Sequence, residues 1–183
     1  MNGWVNRNDM RCTAYHEAGH AVAAVLQDRP FQKVFVVHRA DEAKEYTQGP
    51  LGSVVRHLDK PTFAGKLDEA KKEIVICYAG PYAETFAYPG LKPLLEQDAQ
   101  DVKEAIGLAK FALVNFTIRP TGASFDNAEV SSKWPQIVAV LDECNKEALS
   151  LVLHNQRSIM RLADALLLRR ELTRDEVIAI TKP

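Results

Sequence analysis

Long apolar runs are missing from this chain of 183 residues, and none approaches the ~20 residues a membrane-spanning helix requires. Paired cysteines are missing too. Cys12, Cys77 and Cys144 are odd in number, widely spaced and in no CxxC arrangement, so neither a disulfide framework nor a cysteine zinc site is indicated. Buried free thiols in a reducing compartment are the expectation. No GxxxxGK[ST] occurs anywhere, which excludes a phosphate-binding loop of that type. Charge of one sign is also lacking: the formal net charge is −1, which gives no reason to expect nucleic acid or an anionic membrane as main partner. The opening MNGWVNRNDMR holds no apolar stretch long enough for a signal peptide, so a cytoplasmic location is expected.

What is present reads as an ordinary globular composition, 46% apolar and 26% charged. A chain of this length buries close to ~70% of its unfolded surface, enough for a single domain over 1–183 without staples. Apolar residues recur at helical spacing from Cys12 to Gln27, and Asp28-Arg29-Pro30 ends that segment. FQKVFVVHR (31–39) and LGSVVRHLD (51–59) read as strands joined by a long polar loop. From Thr62 the pattern turns helical. AGKLDEAKKEIVICYAG and PYAETFAY form one helix that Gly80-Pro81 should kink, and 98–116 forms another with Asp98 or Asp101 near its start. A turn-rich loop is expected over 119–127, then helices over 132–154 and 156–168. A short last helix covers 172–180, with Thr173 as N-cap and Glu176 at N3. The expected fold is mainly α: a helical bundle with a small β-element beside the first helix.

That first helix contains TAYHEAGHAV (13–22). Side chains four apart on a helix stand one above the other, so His16 and His20 can point at one ion. Glu17 lies about 100° around the helix, beside the ion, where a general base for a bound water is needed. Gly19 leaves room for a close neighbour. A fortuitous HExxH in a core helix is the bland alternative, but two histidines stacked on one face are a poor choice for core packing. Catalytic zinc usually takes three protein ligands and keeps a fourth position for water, so a third ligand is required. His38, His57 and His154 fall in unsuitable segments. Glu84, Asp98, Asp101 and Asp126 are the carboxylate candidates.

TAYHEAGHAV resembles the active-site helix of the FtsH-type zinc metallopeptidases, the proteolytic domain of AAA+ proteases. FQKVFVVHR followed by LG is similar to that family's strand pair, and AGPYAE (79–84) to its GGRAAE helix. DVKEAIGLAKFALV (101–114) resembles the helix that opens with the third zinc ligand, and 155–177 the terminal helices. The resemblance implies Zn²⁺ held by His16, His20 and Asp101, with Glu17 as catalytic base. Asp98, one turn earlier, is the alternative third ligand. Glu84 would either hydrogen-bond a liganding histidine or be a solvated helix residue. Leu51, Gly52, Ser53 and Val54 would form an edge strand that holds substrate by β-addition.

The implied function is zinc-dependent endopeptidase cleavage of unfolded segments or peptides, with residues 1–115 as catalytic part and 116–183 as C-terminal helices. Homo-oligomers are the family's habit, and an ATPase would have to act in trans, since the chain carries no nucleotide loop. Two features depart from the family: Gly-Pro stands where Gly-Arg is usual, and the loop 40–50 is longer and more acidic. A non-catalytic zinc-stabilised peptide-binding or regulatory module is the alternative function, though it has no use for Glu17. A deformylase-like amidohydrolase would need a cysteine ligand in a separate upstream motif, and only Cys12 precedes the histidines.

Overall fold

In the computed structural model, described residues are 10–37, 52–56, 59–88, 90–96, 99–119 and 122–182. The expected strand ends at 38–39 and 57–58 and the loop 40–50 lie outside them, as do Leu51 and Asp98. Helix α1 spans Met10–Leu26 and is buried along most of its length. Cys12, Ala14, Ala18 and Ala21 to Ala24 have essentially no exposure, so α1 is a central element and not a helix with one apolar stripe. Its small side chains explain this, because they let neighbours approach on several sides. The partners are helix α2 (Leu67–Ala83), helix α5 (Gln156–Arg169) and two strands.

The strands are β1 (Lys33–Val36) and β2 (Gly52–Val55), antiparallel, with Val34 opposite Val54 and Phe35 opposite Ser53. A third strand, β5 (Glu171–Thr173), pairs antiparallel with the other side of β1. The described sheet is therefore ordered β2-β1-β5, and among the described residues no strand pairs with the outer edge of β2. Periodicity could not reveal β5, whose three residues run directly into the capping signal of helix α6 (Arg174–Thr181). That capping box is present in full, with Thr173 accepting from the Glu176 N–H and Glu176 accepting from the Thr173 N–H.

Helix α2 runs through Pro81 to Ala83 before passing into a 3₁₀ turn at Glu84–Phe86. Proline removes one N–H near the helix end, where the loss is small, so the helix narrows to a tighter turn instead of breaking. Helix α3 covers Gln100–Leu113. The helix expected to reach 116 ends at Leu113, and a hairpin of β3 (Phe116–Arg119) with β4 (Gly122–Phe125) reaches into the segment expected as a loop. Phe116 and Phe125 meet Phe111 of α3 with ring centroids 4.9 and 5.0 Å away, and this apolar seat supports an otherwise marginal pair of strands. Helix α4 (Asn127–His154) begins five residues before the expected start, because the Asp126 carboxylate caps it by accepting from the Ala128 N–H at 2.8 Å. All three cysteines are buried and free. No described helix is long and apolar enough to cross a membrane.

One buried ion cluster ties the sheet to the helices. Glu73 of α2, 3% exposed, accepts from Arg29 Nε after α1 and from Arg56 Nη1, at 2.6 Å, just after β2. Breaking one side of such a cluster leaves a buried charge poorly compensated.

The α1–α2 contact is the tightest. A Cβ on Gly19 would lie 2.5 Å from the Ala83 Cβ and 2.6 Å from the Ala79 carbonyl oxygen, which is backbone and cannot step aside. Gly19→Ala is expected to destabilise the protein by about 1–3 kcal/mol in urea unfolding. An unchanged midpoint would mean that the helices are not so close.

Candidate metal centre

The crossing of α1 and α2 brings the histidines to a second helix, and α3 arrives beside both. The His16 and His20 rings meet edge to face with centroids 4.5 Å apart and Nε2 atoms 2.8 Å apart. Asp101, in the first turn of α3, closes the third side. Its Oδ2 lies 3.3 Å from His16 Nε2 and its Oδ1 3.4 Å from His20 Nε2. One ligand atom from each of the three residues falls within 4.8 Å of the others.

The far nitrogen of each ring is already engaged. His16 Nδ1 donates to Glu84 Oε1 at 2.6 Å, and His20 Nδ1 donates to the Ile76 carbonyl at 2.7 Å. A carbonyl can only accept, so the His20 proton belongs on Nδ1 and the Nε2 lone pair faces the cluster. Two imidazole lone pairs and a carboxylate converging on one point is a donor set that a single zinc ion satisfies at once.

Electrostatics favour positive charge at that point. Burial acts to lower the His16 pKa, but hydrogen bonds to Asp101 and Glu84 and the charges of Glu17 and Asp101 outweigh it and hold it well above the ordinary value. Burial acts to raise the Asp101 pKa, and the two histidines overcome it and hold the carboxyl well below the usual carboxylate range. Glu17, only 6% exposed, is pushed up by burial, with His16 and His20 opposing.

The cluster opens into a cleft of about 410 Å³, with Glu17 in its wall. Ser53, Val54, Arg56, Pro81, Leu94 and Gln100 also line it. Gly52 belongs to β2, whereas Leu51 and the alternative ligand Asp98 lie outside the described residues. Glu84 makes the hydrogen bond to a cluster histidine that was one of its two readings. Asp126 caps α4, and His154 is exposed, its Nδ1 donating to the Ser150 carbonyl at 2.7 Å.

Three participants escape a reading of the sequence. The Ile76 carbonyl is backbone and carries no residue signal. Gly80 lies so close to the site that a Cβ there would be 2.4 Å from His20 Nε2, a demand that the quoted AGPYAE hints at only through its glycine. Arg56 reads as an ordinary polar residue after a strand.

In a mainly helical chain, the HExxH helix and a carboxylate from a second helix together form a candidate metal centre. No protein-family model matches the chain. Among curated proteins it is 25% identical over 183 residues to "ATP-dependent zinc metalloprotease FtsH 2" of Thermoanaerobacter sp. (strain X514), covering 96% of this chain and 33% of that protein. It is 24% identical to "ATP-dependent zinc metalloprotease FTSH 11, chloroplastic/mitochondrial" of Arabidopsis thaliana (98% of this chain, 22% of that protein). It is 27% identical to "ATP-dependent zinc metalloprotease FtsH 4" of Sorangium cellulosum (96% and 29%). Along almost its whole length, then, the chain is similar to FtsH zinc metalloproteases, and it spans a third or less of the length of these relatives.

If Glu84 orients His16, Glu84→Gln is expected to weaken zinc binding about 10–100-fold in competition with a chelator while the fold persists. Affinity equal to that of the unaltered protein would reduce the His16–Glu84 contact to a surface ion pair.

Proposed function

We propose that the chain is a zinc-dependent metalloendopeptidase acting on peptides or unfolded segments, with residues 1–183 as one domain. The single observation that carries this reading is the convergence of His16, His20 and Asp101 at the floor of a cleft with Glu17 in its wall. Zinc held there would supply Lewis acidity toward water and the scissile carbonyl. Glu17 takes the proton from the attacking water and returns it to the leaving amine. Its burial suits that task, since a carboxylate whose pKa is raised is a better proton acceptor. Glu84 and the Ile76 carbonyl keep both imidazoles in the orientation the metal needs.

The outer edge of β2 holds substrate as an added strand, using main-chain hydrogen bonds that carry little sequence preference. Ser53 and Val54 lie on the cleft wall, which supports this placement. The relatives are named as ATP-dependent, and these 183 residues hold no phosphate-binding loop, so unfolding of folded substrates would be supplied by an ATPase outside them. Self-association is proposed from the resemblance, and a reducing compartment such as the cytoplasm from the free thiols. The non-catalytic alternative leaves Glu17, buried beside the histidines, without a task.

Glu17→Gln is expected to retain zinc and lower peptide cleavage by about 10²–10⁴-fold. Full activity with zinc retained would refute the mechanism. For the strand edge, N-methylation of successive peptide amides is expected to raise KM at alternate positions, because an added strand turns every second N–H toward its partner. A flat response along the peptide would remove the edge from substrate binding.

A further inference from the structure

Among the described residues that line the cleft, Arg56 is the one permanent cation. It is the first residue past β2, two positions beyond Val54 and thus on the same face of the strand. Among the described residues, Arg29, Arg56 and Lys72 form ion pairs with Glu69 and Glu73. Glu73 divides its two oxygens between Arg29 and Arg56, so neither arginine has a carboxylate to itself there. Among the described residues Arg56 donates one side-chain hydrogen bond, from Nη1 to Glu73, whereas a guanidinium has five N–H donors in a fixed fork. Anchored at one nitrogen on a buried carboxylate, it is a preorganised anion receptor with little rotamer freedom left to lose.

We infer that Arg56 forms a substrate subsite that selects an acidic side chain close to the scissile bond. The inference rests on the peptidase reading and on a peptide lying along β2. Residues opposite one another on adjacent strands have Cβ atoms about 5 Å apart, so a Glu or Asp facing position 56 reaches the guanidinium. Ser53, Val54 and Arg56 line the same cleft as the metal-ligand cluster, which puts this contact near the bond that is cut. Main-chain pairing then supplies general affinity, and Arg56 supplies the preference.

The test uses the zinc-loaded full chain and a peptide series with Glu, or its near-isostere Gln, at each position flanking one cleavable bond. Cleavage is read as kcat/KM. Binding is read independently by fluorescence anisotropy on the Glu17→Gln protein. At one position Glu should exceed Gln by about tenfold in both readouts, the scale of one charge-assisted hydrogen bond. Arg56→Gln should bring that ratio below about twofold, and Arg56→Lys should leave part of it, since the charge remains but the fork is lost.

Because Arg56→Gln leaves Glu73 with one partner fewer, Arg56→Gln combined with Glu73→Gln serves as a second variant without the surplus buried carboxylate; with an unchanged circular dichroism spectrum and retained zinc, it should lose the preference equally. A ratio near one at every position in the unaltered protein, or a preference that survives in both variants, overturns the inference. If no peptide is cut, the peptidase reading fails by itself, and the anisotropy ratio still decides the role of Arg56.

Discussion

The close crossing of α1 and α2 is the contact on which the rest depends. It is possible because Gly19 faces Ala79 and Ala83, and because Gly80 faces the ring of His20. Side chains at either glycine would force the helices apart and take the Ile76 carbonyl away from His20 and Glu84 away from His16. Packing and site chemistry are therefore one constraint here. The small residues that make α1 a central helix also bring the second helix near enough to fix both imidazoles. Asp101 completes the cluster from α3, which packs on α2.

The charges around this crossing divide into two groups with different tasks. Glu17, Glu84 and Asp101 surround the histidines and make the point between them favourable for a cation. Arg29, Arg56, Glu69 and Glu73 tie β2 to the helices and keep the sheet edge beside the cleft. On the proposed reading, a peptide on that edge would meet both the metal-ligand cluster and the Arg56 guanidinium. A site built on main-chain pairing would then still discriminate among substrates.

Much of this was legible in the sequence, for identifiable reasons. The HEAGH spacing announces two histidines on one helical face, and the periodicity of α2 to α5 is strong enough to locate them. The Thr173–Glu176 capping box is readable because its chemistry is local. What escaped depends on contacts made far along the chain. β5 is a strand only because β1 presents it an edge, and the β3–β4 hairpin stands because Phe111 gives its aromatic residues a seat. The spacing of apolar residues in α1 marks it as a helix but does not show that it is surrounded, which its alanines allow. Likewise the Ile76 carbonyl and the backbone approach at Gly80 carry no side-chain signature. Asp126, one of the carboxylate candidates, caps α4, a role that only the observed start of that helix reveals.

The central claim is that one zinc ion is bound by two imidazoles and a carboxylate. Zinc K-edge X-ray absorption on the metal-loaded protein tests it most directly. The account predicts one zinc per chain with nitrogen and oxygen neighbours at about 2.0–2.2 Å, an imidazole scattering pattern and no sulfur. Substituting Asp101 by Ala should then abolish stoichiometric loading. A sulfur neighbour near 2.3 Å, or an unchanged spectrum and stoichiometry without Asp101, would contradict it.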